Sequence, residues 1–92
     1  ILSAATSAGL SDLYITTVDA TAENMAAIRD GKVAIGVSQD PYKMGYTAVE
    51  QAIKWCQGEE TDEFIEVPVE YMDKDNIQDF IDREKGYGVE VE

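Results

Sequence analysis

The chain predicts an α/β domain built on a parallel sheet, and three features carry that prediction. Helix-like and strand-like segments alternate, the order expected when helices cross over between parallel strands. The run "VAIGVS" (33–38) is apolar on both faces, as a strand sandwiched inside such a sheet would be. Two strand-like runs also end in a polar residue, Asp19 and Gln39, each just ahead of a helix signal.

Taken in order, "ILSAATSAGLSD" reads as the tail of a helix stopped at Gly9, a residue that accepts a left-handed C-terminal position. "LYITTVD" (13–19) is β-branched and aromatic and predicts a short strand. "TAENMAAIRDGK" predicts a helix with Thr21 as N-cap, Glu23 in the first turn and Gly31 as the stop. After "VAIGVS", Asp40 caps and Pro41 starts the clearest helix, which Gly58 closes. Its residues Tyr42, Gly45, Tyr46, Val49, Ala52, Ile53 and Cys56 recur at helical spacing and predict one buried stripe. "EETDE" is a solvated loop. "FIEVPVEYM" (64–72) alternates as a strand, but Pro68 restricts it to an edge, a bulge or a crossing point. "DKDNIQDFIDREKG" predicts a last helix, and "YGVEVE" a charged tail.

Composition excludes several function classes. Seven basic against nineteen acidic residues give a net charge of -12, which argues against nucleic acid and anionic membranes as partners. There is no histidine and a single cysteine, Cys56, so no internal disulfide, no thiolate metal cluster and no histidine base are expected. Cys56 itself reads as a small apolar core residue. No nucleophile motif, metal-ligand set or cofactor-binding motif stands out, and an enzyme is the least favoured reading. No run of eighteen apolar residues is present. The chain lacks a starting Met, which suggests a processed or excised segment.

Ligands of open α/β sheets bind beyond the carboxyl ends of the strands. Asp19 and Gln39 sit at two such ends, one strand–helix–strand unit apart. An aspartate accepts two hydrogen bonds from adjacent hydroxyls, while a glutamine donates and accepts at once. The pair suits a neutral polyol such as a sugar better than an anion. Read singly, Asp19 also fits a capping or turn residue and Gln39 a loop residue. Tyr42, Tyr46 and Trp55 lie on or beside the apolar stripe and read as core packing before sugar stacking.

The stretch "TTVDATAENMAAIRDGKVAIGVSQDPYKMGYTAVEQAIKWCQGEE" resembles the C-terminal part of type I periplasmic binding proteins, the sugar-binding proteins of ABC importers. The similarity runs over about residues 9 to 77, with "VPVEYMDKDN" resembling the family's final crossing strand. It implies a three-layer α/β/α fold, here a partial lobe. It also implies that Asp19 and Gln39 are ligand residues that hydrogen-bond sugar hydroxyls. By the same resemblance, residues 1–39 belong to the C-terminal lobe and 40–66 carry a helix that crosses to the other lobe. Residues 67–77 form the last crossing strand, and 78–92 have no counterpart. The other lobe, its sugar-stacking aromatics and an upstream Asn-Asp turn have no match here, and the family's "VGxD" stands as "TTVD".

The implied function is reversible sugar binding with hinge closure and delivery to a membrane permease, outside the cytoplasmic membrane. A LacI-type regulator's effector domain shares the fold, but the "QGEE" turn, the "KDN" ending and the scarcity of basic residues favour the transporter reading. A third reading is a truncated chain that binds no ligand and self-associates to cover its sheet.

Overall fold

The computed structural model describes all 92 residues. Its elements are α1 (Leu2–Ser7), β1 (Thr16–Val18), α2 (Ala22–Arg29), β2 (Ile35–Ser38), α3 (Pro41–Cys56), β3 (Glu70–Met72) and α4 (Ile77–Gly86). The predicted helices and strands are therefore all present, although the strands are shorter than their apolar runs. The predicted strand over 64–72 keeps only its last three residues, beyond Pro68.

The strand order is β1-β2-β3. β1 and β2 pair in parallel, with Val18 opposite Val37, as the crossover through α2 requires. β3 pairs antiparallel to β2, with Met72 opposite Gly36, so the sheet is mixed rather than wholly parallel. Residues of alternate parity point to opposite faces. One face carries Thr17, Gly36, Ser38 and Met72, and α2 and α4 cover it. Its core is Met25, Ala27, Ile28, Val33, Met72, Ile77 and Phe80. At Gly36 an added Cβ would lie 2.7 Å from Met72 Cε and 2.9 Å from Ile28 Cδ1, so glycine lets the covering layer close on the strand.

The other face is open. Ile35 and Val37 are only half-buried, and Val18 and Tyr71 are exposed. "VAIGVS" is thus buried on one face, not both, and two of the three expected layers are built. The stripe on α3 is likewise uncovered. Tyr42, Tyr46, Val49, Ile53 and Trp55 are exposed, as is Cys56, contrary to the core role their spacing predicts. The reason is geometric: α3 runs off the body and makes only marginal contact with the other elements. Tyr42, at its start, stacks on Tyr87 with ring centroids 3.8 Å apart. The molecule measures 59 × 24 × 21 Å with a radius of gyration of 17.0 Å, against about 12 Å for a compact chain of this length.

The segment after β3 joins the same body as β1 and β2. Asp73 Oδ1 accepts from the backbone N–H groups of Asp75 and Asn76, and Asn76 Nδ2 donates to the Tyr71 carbonyl, which turns the chain into α4. Arg83 on α4 donates to Glu70 on β3 at 2.7 Å and lies over the Phe80 ring. Burial lowers the pKa of the Arg83 guanidinium, but the Glu70 hydrogen bond and the charges of Glu70, Asp40 and Glu84 outweigh it and raise the net value. Val89 and Val91 then pack against the core, so the tail that the sequence left unassigned is part of the fold. No helix is long and apolar enough to cross a membrane.

Candidate functional site

The site forms where the two parallel strands end. Strand register puts Val18 beside Val37, and the Asp19 N–H donates to the Val37 carbonyl at 2.7 Å. That register leaves Asp19 level with Ser38, and Gln39 one residue further on reaches back across the strand end: Gln39 Nε2 donates to Asp19 Oδ1 at 2.6 Å. Both sequence-predicted ligand residues are exposed at this edge and are brought together, as neighbouring strands require. The hydrogen bond uses one amide proton of Gln39 and one carboxylate oxygen of Asp19. Gln39 Oε1 and Asp19 Oδ2 remain as an acceptor pair, with a second amide proton available beside them. Adjacent hydroxyls of a polyol match that set.

Two backbone bends aim these side chains. Asp19 has φ 76 and Asp40 has φ 50, both in the left-handed region that most residues avoid and aspartate tolerates. Asp40 still caps α3, its Oδ1 accepting from the Lys43 N–H at 3.0 Å. The buried Ser38 hydroxyl oxygen accepts from the Asp40 N–H at 3.3 Å and closes the turn that carries Gln39. On the other side Thr21 caps α2 by accepting from the Asn24 N–H, as predicted. The Asn24 side chain reaches back to the strand end, donating at 2.9 Å to the carbonyls of Val18 and of Asp19.

Ser38 and Asn24 were not predicted from the sequence. Ser38 read as the last strand residue and Asn24 as one more polar helix position. The available signal for Asn24 is its place three residues after the N-cap, where side chains commonly reach back across a helix start. A groove of about 400 Å³ lies beside Gln39, between α3 and the segment before β3, with Met44, Ala48, Ile65 and Val67 on its walls.

A family model described as "Periplasmic binding protein domain" matches residues 1–60. The chain belongs to the periplasmic binding protein family. A protein of Rhizobium meliloti named for rhizopine binding is 30% identical over 71 residues, covering 77% of this chain and 23% of that protein. Among solved structures, a periplasmic ribose ABC transporter protein from Conexibacter woesei DSM 14684 matches with a TM-score of 0.72 and 25% identity, over 88% of this chain and 28% of that one. A Mycobacterium smegmatis structure matches with a TM-score of 0.68 and 28% identity, over 94% and 30% respectively. This periplasmic binding protein chain thus spans less than a third of each relative's length. The half-covered sheet and the uncovered α3 are what a partial lobe of such a protein would present.

Proposed function

We propose that the chain is the C-terminal segment of a sugar receptor that serves an ABC importer. Its job is reversible binding, with two lobes closing on the ligand about a hinge, and no covalent chemistry. The observation that carries this reading is the Asp19–Gln39 pair at the carboxyl ends of neighbouring parallel strands. From that edge the two side chains hold hydroxyls of a neutral polyol, a class that takes in the ribose named for one similar structure. Residues 40–66 carry α3 across to the other lobe, where its apolar face is covered, and 67–77 form the returning crossing segment, of which Glu70–Met72 is strand and the rest leads through a turn into α4. The closed form docks on a membrane permease, which places the protein in the periplasm or on the outer side of the cytoplasmic membrane.

Losing one hydrogen bond to a buried sugar hydroxyl costs on the order of 1–3 kcal/mol. Asp19→Ala in the full-length receptor is therefore expected to weaken D-ribose binding about tenfold or more, measured by titration calorimetry. An affinity unchanged from wild type would overturn the assignment of Asp19.

A further inference from the structure

We propose that Asn24 is the positioning residue for Asp19: it holds the aspartate's left-handed backbone so that the carboxylate faces Gln39 before any ligand arrives. The inference rests on the reading of Asp19 as a sugar contact. Its basis is a closed set of contacts. Asn24 Nδ2 donates to the Val18 and Asp19 carbonyls, both at 2.9 Å, and these belong to the two peptides flanking the Asp19 Cα. That Cα is the one at φ 76. Asn24 is itself anchored, because its N–H donates to the Thr21 capping hydroxyl at 3.1 Å. The Asp19 N–H is anchored to β2 through Val37. The helix cap, the strand end and the carboxylate therefore form one braced unit.

The chemistry needs a short neutral amide. One nitrogen must offer two protons to two carbonyls, which a carboxylate lacks and an alanine cannot supply. A carboxylate here would face two carbonyl oxygens and the Asp19 charge. A strained backbone persists only where its surroundings hold it, and Asn24 is the side chain that does so here. A binding group held in place before the ligand arrives loses less freedom on binding, so the brace bears on affinity.

The test is a double-mutant cycle in the full-length receptor, with D-ribose as probe and calorimetry as readout. Asn24→Ala and Asn24→Asp are each made alone and together with Asp19→Asn. The expected result is at least tenfold weaker binding for Asn24→Ala alone, and less than a twofold further loss when Asp19→Asn is already present. Asn24→Asp should be no better than Asn24→Ala. Equal losses in both backgrounds would mean that Asn24 merely supports the fold, and overturn the proposal. Hydrogen exchange supplies a readout without ligand. The Asp19 amide should exchange at least tenfold faster in Asn24→Ala while the Ile28 amide in the core keeps its rate. An unchanged Asp19 rate overturns the brace whatever the sugar result. A wild-type receptor that ignores D-ribose while the Asp19 amide quickens counts against the ribose reading and leaves the brace standing.

Discussion

Gln39 Nε2 stands 2.6 Å from Asp19 Oδ1 although the two residues are twenty apart in sequence. The parallel pairing of Val18 with Val37 brings the two strand ends side by side, and Gln39, one residue past the position level with Asp19, reaches back to it where both chains turn left-handed. A neutral amide beside a carboxylate is a stable pair that still leaves acceptors for a ligand.

Gln39→Glu replaces that pair with two carboxylates, and like charges this close disfavour joint ionisation. The pair is then expected to share a proton, with one apparent pKa raised above the ordinary value of about 4. The folded state would hold more protons than the unfolded one, so stability falls as pH rises through that window and recovers below it. Urea midpoints of variant and wild type across pH 3 to 7 check the sign. A constant difference over that range would mean the two side chains do not meet.

Gly36 is the close approach in the core. Gly36→Val drives a branched side chain into Met72 and Ile28, both fully buried. Overpacking of this kind costs roughly 1–3 kcal/mol. Gly36→Ala is expected to cost less, because the atoms it meets are the free ends of long side chains. Chemical denaturation of both variants should give that order.

Asp30 provides a pH handle far from the site. The Arg29 hydrogen bond holds its carboxyl below the usual carboxylate range, against an opposing effect of desolvation and with help from the Arg29 and Lys32 charges. A lowered folded-state value means the stabilisation is present above the unfolded pKa and is lost as pH falls through the folded one. Arg29→Met should move the Asp30 titration, followed by carboxyl NMR, back up towards its ordinary value. The same substitution removes the 2.7 Å bond to the Glu92 carbonyl and should loosen the tail.

Val49 tests where α3 belongs. It is exposed in these 92 residues, in an apolar groove with Tyr42, Tyr46 and Ile53. If a second lobe covers that face, Val49→Asp buries an unpaired charge and should destabilise the full-length protein by on the order of 3 kcal/mol or more. In the 92-residue chain alone the same change should be nearly silent. Equal, small effects in both would mean that α3 stays in water.

Much of the fold was legible because it is local. The Thr21 and Asp40 caps and the stops at Gly31 and Gly58 rest on neighbours within a few residues, and the parallel pairing on the order of elements in one strand–helix–strand unit. The position of Asp19 and Gln39 at adjacent strand ends followed from the same logic. The periodic stripe on α3 was equally plain, and it identified an apolar face correctly without showing what lies against it.

The sequence by itself determined the order of elements, their caps and the two polar residues that end the parallel strands, because each depends on short-range spacing and side-chain chemistry. Only the tertiary structure decided that β3 runs antiparallel, that one sheet face and α3 stay uncovered, and that α4 and the tail after it, through Val89 and Val91, close over the core. It also decided that Asn24 and Ser38 brace the site. These features depend on which surfaces meet across long separations, and periodicity records that a face is apolar but not which surface covers it.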